Sequence, residues 1–324
     1  MKAFFITTTT NETPKYPESF ACINGNEVKH FIFDHRLDRR SGQVLSGAVL
    51  DDHIWRAALD YAPEMIVYLG ANGGNLPSVK LFTKLNLEVA PTVLMCSDAA
   101  DVTSTWTQLL KEYDKEKSFK VVVAIDGNRN WEFSQSHLTA LTPIDPKRYP
   151  SPPILHEERK ILFGFAGNMG SAKTMKNGVY VGRRRLIDEM MTFGLSCRQR
   201  DDTYDPRLPH SKSYQNCVDF MATTRIMPNF CETGSYENTH VKGRVVEAGL
   251  SGCMLLEQIN SPIFNWFEKD VDYLEFNKVS DVRGIVERFK DKPQETQKMG
   301  DSLRTKVLQN HSPEKFWGKV VERL

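Results

Sequence analysis

Residues 235–257 read Ser-Tyr-Glu-Asn-Thr-His-Val-Lys-Gly-Arg-Val-Val-Glu-Ala-Gly-Leu-Ser-Gly-Cys-Met-Leu-Leu-Glu, which predicts a loop, a three-turn helix and a short buried strand. Thr239 is the predicted N-cap of this helix. Gly252 is its predicted end, because glycine readily adopts the left-handed conformation that closes a helix. Apolar residues recur at helical spacing on one face: Val241, Val245 and Ala248.

The opposite face of the predicted helix carries the polar chemistry. His240, Gly243 and Glu247 align there at spacings of three and four, and Lys242 and Arg244 flank them. Two cations at a helix N-terminus can bind phosphates, and a carboxylate two turns on can accept hydrogen bonds from paired sugar hydroxyls. The alternative is a solvated helix surface on which Glu247 pairs with a neighbouring cation.

Length and composition restrict the classes of protein. The 324 residues suffice for two domains, and a net charge of +1 gives no general attraction to nucleic acid or to acidic membranes. The six cysteines show no CxxC spacing, which favours reduced thiols. No apolar run has the roughly 20 residues that span a bilayer, and the N-terminal apolar run is too short for a signal peptide. We expect a cytoplasmic protein.

Strand and helix patterns alternate along the whole chain, and the strands are continuously apolar. This predicts parallel sheets covered on both faces, hence an α/β protein with two Rossmann-like domains. Five prolines within 142–159 indicate a linker, so the predicted domains are 1–150 and 151–324. Polar residues follow several N-terminal strands, where turn formers are also common: Asp34, His35, Asn72, Asp98 and Asp126.

The second domain begins with a strand that runs into a glycine turn, Gly167-Asn168-Met-Gly-Ser171, followed by a helix that opens at Arg183. Such a turn lets backbone N–H groups approach a phosphate. Its spacing is neither that of a P-loop nor GxGxxG, so a plain strand-to-helix turn is an equal alternative. No metal-binding motif is present, and the acidic cluster at 200–205 is better explained as a polar loop.

The stretch from Asn229-Phe230 to Leu256 resembles the C-terminal core of group-1 GT-B glycosyltransferases of the CgeB-like type, in which a KGRxxE pattern recurs. The resemblance covers residues 160–324, whereas residues 1–150 match as a generic α/β domain. It implies that Glu247 binds the ribose of a nucleotide-diphosphate sugar, UDP- or GDP-linked. The implied diphosphate site is formed by Lys242, Arg244 and the backbone at Thr239 and His240.

The resemblance also implies what assists the reaction. Gly167, Asn168 and Arg183 would support the diphosphate, with neither cofactor nor metal. The candidate catalytic residues are His240 and, as base if the sugar is inverted, Asp98. Asp34 or His35 is the next candidate base, because all three lie at strand ends that face the predicted cleft. Retaining relatives carry a Glu at the position of Thr239, so the stereochemical outcome stays open.

Three hypotheses of function follow from the sequence. The first is a metal-independent glycosyltransferase whose active site lies in the cleft between the domains. The first domain would bind the acceptor, which could be a glycan, a metabolite, a protein or a modified nucleic-acid base. The second is a nucleotide-sugar epimerase or hydrolase of the same fold. The third is a non-catalytic nucleotide-sugar-binding protein, favoured by the absence of Glu at 239. The oligomeric state is not predicted.

Overall fold

The computed structural model describes residues 1–8, 15–33, 47–70, 75–96, 104–125, 136–167, 175–176, 179–180, 182–199, 212–232 and 239–324. The chain forms two compact units. Unit 1 comprises Met1–Asp145 together with Pro313–Leu324, and unit 2 comprises Pro146–Ser312. The sequence prediction placed all of 151–324 in the second domain, whereas the last twelve of these residues belong to unit 1.

Unit 1 contains a six-stranded parallel sheet in the order β2-β1-β3-β4-β5-β6. Its strands are β1 (Lys2–Thr8), β2 (Glu27–Phe33), β3 (Met65–Leu69), β4 (Thr92–Cys96), β5 (Val121–Ile125) and β6 (Ser136–Ala140). Its first helices are α1 (Lys15–Ala21), α2 (Gly47–Tyr61), α3 (Val79–Glu88) and α4 (Ser104–Lys115). The strand order reverses between β1 and β3.

Both faces of this sheet are buried, as the continuous apolar strands predict. One face packs against α2, α3 and α4, and the other against α1 and the last helix, α10 (Pro313–Val321). Trp317 of α10 lies edge-on to Phe5 with ring centroids 5.7 Å apart, and its indole N–H donates to Ser19 Oγ at 3.0 Å. These contacts explain why α10 belongs to unit 1.

Unit 2 contains a five-stranded parallel sheet in the order β10-β7-β11-β12-β13. Its strands are β7 (Ile161–Gly167), the short antiparallel pair β8 (Met175–Lys176) and β9 (Val179–Tyr180), β10 (Ser196–Gln199), β11 (Thr224–Asn229), β12 (Met254–Gln258) and β13 (Tyr273–Phe276). Its helices are α5 (Arg183–Met191), α6 (Lys212–Ala222), α7 (Arg244–Ser251), α8 (Val279–Phe289) and α9 (Pro293–Asn310).

The predicted α/β class with two Rossmann-like units is confirmed. The strand and helix patterns of the sequence do not indicate α1, β6, β8, β9 or β10. All six cysteines are free thiols, as predicted.

The decisive stretch differs from its prediction at one end. Helix α7 starts at Arg244 with Gly243 as N-cap, and it has eight residues instead of three turns. Thr239 is not the N-cap, because it forms an antiparallel bridge with Glu232 and its Oγ1 donates to the carbonyl of Asn260 at 2.7 Å. The predicted end is correct: Gly252 adopts φ +69° and closes the helix.

Candidate functional site

The sheet of unit 2 has a switch point between β7 and β11. From β7 the chain passes to β10 on one side, whereas β11, β12 and β13 follow one another on the other side. In open parallel sheets of this kind, ligands bind beyond the carboxyl ends of the strands at such a point. The strand ends there are Gly167 and Asn229.

Arg244, the first residue of α7, places its guanidinium group against the end of β7. A Cβ atom added to Gly167 would collide with Arg244 Nη2, and Gly167 has φ +145°, a conformation that side chains rarely adopt. The guanidinium also lies 5.9 Å from the centroid of the Phe165 ring, and Nη1 is 3.4 Å from Met221 Sδ. Glycine at 167 therefore makes room for a fixed cation.

Glu247 lies one turn further along α7 and pairs with this cation. Its Oε2 is 2.7 Å from Arg244 Nη1, and the two side chains are only 3% and 15% exposed, respectively. A carboxylate in the first turn is favoured by the helix dipole, and burial of an ion pair is tolerated when its geometry is good. The pair brings opposite charges to the switch point in a defined orientation.

The other end of α7 is held by three side chains from elsewhere in unit 2. Arg159 donates from Nη2 to the carbonyl of Ser251 at 2.8 Å, and Arg304 donates to the carbonyl of Leu250. The Nε2 atom of His156 is 2.7 Å from the carbonyl oxygen of Gly252. A helix C-terminus carries partial negative charge on such carbonyls, so the two cations stabilise it.

The segment before α7 is packed into the unit rather than extended as a free loop. His240 is fully buried, and its backbone N–H donates to the carbonyl of Cys231 at 3.0 Å. Val241 is also fully buried, whereas Lys242 is half-buried. This anchoring fixes the path by which the chain enters α7.

A buried acid that the sequence pattern does not mark as a site residue lies at the same sheet edge. Glu257 of β12 is fully buried and accepts a hydrogen bond from Asn229 Nδ2 at 2.8 Å. Burial raises the pKa of Glu257 to about 7, against the lowering effects of Ser261, Asn229 and Lys242. The sequence signal was an acidic residue directly after the apolar run at 253–256.

The predicted site residues are thus distributed as follows. Gly167, Arg244 and Glu247 come together, and Lys242, His240 and Thr239 lie in the segment that leads into α7. Arg183 is half-buried at the start of α5. The other predicted or considered residues lie outside the described residues: Asn168, Asp98, Asp34, His35, Asn72, Asp126 and the cluster at 200–205.

The described residues show neither a metal-binding cluster nor a membrane-spanning helix. No group of three His, Cys, Asp or Glu side chains is arranged to hold a metal ion in the part of the chain that the structure describes. Among the helices described, none has the length and apolar character needed to cross a bilayer.

Residues 183–322 match the sequence profile of a family described as glycosyl transferase-like. The sequence matches none of the curated proteins. Similar solved structures include HepE from Anabaena in complex with UDP, which is 13% identical with a TM-score of 0.57 over 99% of each chain. Sucrose-phosphate synthase from Thermosynechococcus elongatus is 10% identical with a TM-score of 0.61, covering 100% of this chain and 98% of that one.

A third similar structure is UDP-GlcNAc 2-epimerase from Neisseria meningitidis bound to UDP-GlcNAc. It is 8% identical, with a TM-score of 0.53 over 100% of each chain. At these identities the structural likeness establishes the fold alone, which is GT-B, as the sequence resemblance implied. Residues 183–322 of the family match contain α7, with its Arg244–Glu247 pair.

Proposed function

We propose that the chain is a GT-B glycosyltransferase that transfers a hexosyl group from a UDP-linked sugar. Its fold and the family match over residues 183–322 support this proposal. The observation that carries this proposal is the buried Arg244–Glu247 pair against Gly167 at the switch point of a parallel sheet. Such a point is where ligands bind in this class of sheet.

Arg244 and Lys242 are the proposed ligands of the diphosphate. Arg244 is held in place by Glu247, and a guanidinium presents several N–H donors that suit phosphate oxygens. The positive end of the α7 helix dipole adds to the same site. Asn168, in the segment after β7, and Arg183, at the start of α5, are proposed to assist.

Glu247 is the proposed ligand of the ribose hydroxyls. A carboxylate has two oxygens that can accept several hydrogen bonds, so pairing with Arg244 is compatible with binding a diol. One carboxylate would then orient both the ribose and the cation that binds the adjoining phosphate. The His240 ring is fully buried, which supports a role in fixing the loop rather than in contacting the sugar.

In the proposed reaction, the bond between the sugar's C1 and the phosphate oxygen breaks, and the diphosphate leaves with the electron pair. A hydroxyl oxygen of the acceptor forms the new bond to C1 and gives up its proton. Lys242 and Arg244 stabilise the negative charge that develops on the leaving group. If the sugar is inverted, Asp98 is the proposed base. The proposal requires neither a metal nor a cofactor.

The structural relatives support UDP as the nucleotide and also suggest an alternative reaction. HepE was solved with UDP and with UDP-glucose, and the epimerase with UDP-GlcNAc. An epimerase would invert a carbon of the donor sugar and need no acceptor. A non-catalytic binder, the third alternative, would bind the donor and leave it unchanged.

The first prediction concerns Glu247→Ala in calorimetric titrations with UDP, GDP and UDP-glucose. Removing the carboxylate abolishes the ribose contact and releases Arg244, so we expect the UDP affinity to fall on the order of 10- to 100-fold. Glu287→Ala, on the exposed surface of α8, is the matched control and keeps full affinity. Unchanged UDP binding in Glu247→Ala would show that this site is wrong.

Turnover separates the three functions. NMR of UDP-glucose and UDP-GlcNAc incubated with the protein, with and without candidate sugar acceptors, distinguishes transfer, release of free sugar and epimerisation. The same reactions with and without EDTA test whether a metal is needed. A new glycosidic signal that requires an acceptor supports the transferase, whereas an epimer formed from the donor alone supports the alternative.

A further inference from the structure

The fully buried carboxyl group of Glu257 lies at the sheet edge that the proposed donor site occupies. It is on β12, directly opposite Asn229 of β11 in the parallel register. Oε2 accepts from Asn229 Nδ2 at 2.8 Å. The nearby Ser261 hydroxyl also favours the ionised carboxylate, although Oε1 makes no hydrogen bond of full geometry among the described residues. Ser261 Oγ is also buried and makes no hydrogen bond of full geometry within the described residues.

The charges around Glu257 come from three elements. Lys242, in the segment before α7, stabilises the ionised carboxylate, whereas Glu275 on the adjoining strand β13 opposes it. Glu275 is itself paired with Lys269, with Nζ and Oε2 2.6 Å apart. Glu232, on the segment after β11, is a further acid among the described residues of this neighbourhood, since it and Glu257 both act on Cys231.

Two further titratable neighbours, Cys231 and Tyr273, stay neutral near pH 7. Burial raises the pKa of the Cys231 thiol to about 12, and burial together with Glu275 raises the pKa of Tyr273 to about 12. After the Ser261 hydroxyl and the Asn229 amide, Lys242 is the described cation that favours the charged form of Glu257. Lys242 is also a proposed ligand of the donor diphosphate.

We propose that Glu257 is a positioning residue that couples donor binding to the uptake of one proton. This inference rests on the proposed function. When the diphosphate engages Lys242, it withdraws the compensating positive charge from Glu257 and adds negative charge nearby. The carboxylate then takes a proton from solvent. The new O–H can donate to Ser261 Oγ while the other oxygen still accepts from Asn229. The contacts of Glu257 with both residues are thus retained.

The sign of the pH dependence follows directly. The bound state carries more protons than the free state, so donor affinity rises as pH falls across the window in which free Glu257 is ionised. Burial gives Glu257 a pKa of about 7, so this window opens near pH 7 and extends above it. At most, affinity changes about tenfold per pH unit, which corresponds to one proton.

The test is calorimetric titration of the full chain with UDP-glucose, whose phosphates do not titrate near pH 7. The titration is repeated at pH 7.5 in buffers of different ionisation enthalpy, and the slope of the observed enthalpy gives the number of protons taken up. We expect an uptake of up to about one proton for the unaltered chain. In Glu257→Gln, we expect no uptake and an affinity that is independent of pH between 6.5 and 8.5.

Glu275→Gln provides a second variant that does not touch the proton-binding group. Removing this opposing charge lowers the pKa of Glu257, so the window of proton uptake moves to lower pH. Binding without uptake, or uptake that persists unchanged in Glu257→Gln, would overturn the coupling and leave the proposed function standing. Absence of UDP-glucose binding by the unaltered chain would overturn both.

Discussion

The two ends of α7 are built in opposite ways. At the C-terminal end, the carbonyls of three successive residues each contact a side chain from a distant part of unit 2, namely Arg159, Arg304 or His156. At the N-terminal end, the helix supplies its own charges, Arg244 and Glu247, and turns them toward the end of β7. The C-terminal end is fixed by contacts with the rest of unit 2, whereas the N-terminal end carries the candidate ligand groups.

This difference shows how a helix of eight residues can carry a buried ion pair in a fixed position. So short a helix has little stability alone, and its order must come from tertiary contacts. Close packing adds to the hydrogen bonds, because a Cβ atom on Gly249 would lie 2.7 Å from Val307 Cγ2 of α9. Changes at the C-terminal end should therefore affect stability first, and changes at the N-terminal end should affect binding first.

The largest expected effect on stability is at Arg304. Arg304→Met removes the hydrogen bonds to the carbonyls of Leu250 and Pro150, and we expect the free energy of unfolding to fall by about 3 kcal/mol. Urea denaturation measures this loss. Lys298→Met, at an exposed position of α9, is the control and should change little. A tenfold loss of UDP affinity in folded Arg304→Met would contradict the division between the two ends.

A pH effect of intermediate size is expected at His156. Its Nδ1 is 2.8 Å from Thr296 Oγ1 and its Nε2 contacts a carbonyl, so the neutral ring donates from Nε2. Burial, assisted by Arg159, lowers the pKa of His156 to about 3. As pH falls below about 6.5, the unfolded chain takes up a proton before the folded protein does, so folding stability declines with falling pH.

Between pH 7 and pH 5, this group alone should remove about 2 kcal/mol of stability. In His156→Gln, which can keep both hydrogen bonds without titrating, that part of the decline should disappear. Thermal or urea unfolding of both proteins at several pH values measures the difference. Equal slopes for the two proteins would show that His156 is not held neutral by the C-terminal end of α7.

The smallest effect on stability is expected at Gly167, at the N-terminal side. Gly167→Ala strains a backbone with φ +145° and displaces Arg244 Nη2, so we expect a loss of about 1–2 kcal/mol and weaker UDP binding. Gly194→Ala is the matched control, because Gly194 has φ +104° with no atom within 4 Å of an added Cβ. Equal UDP affinity in the two variants would show that Gly167 is not part of the donor site.

What could be predicted from the sequence was local. The continuous apolar run of the strand Met65–Leu69 and the helical spacing of apolar residues in Val279–Phe289 define both elements, because the pattern lies within one segment. Gly252 was recognised as the helix end because a left-handed residue there favours glycine. Glu247 was selected from the pattern around it, and the structure adds its pairing with Arg244.

The rest depends on contacts between distant residues. Thr239 is a residue type that favours N-caps, but it pairs with Glu232 and Asn260 instead, and the helix starts at Arg244. His156 and Arg159 lie in a segment that its prolines mark as a linker, and nothing local indicates that their side chains reach carbonyls 65 to 96 residues away. Propensity describes a segment, whereas these partners are brought together by the folded sheet.

The assignment of α10 to unit 1 has a consequence for synthesis on the ribosome. Unit 2, Pro146–Ser312, is completed before the residues that finish unit 1 are made. Until Pro313–Leu324 emerge, the face of the first sheet that Phe316 and Trp317 cover must stay exposed to solvent or to chaperones. The later unit along the chain can thus fold first, and the earlier one must wait for its final helix.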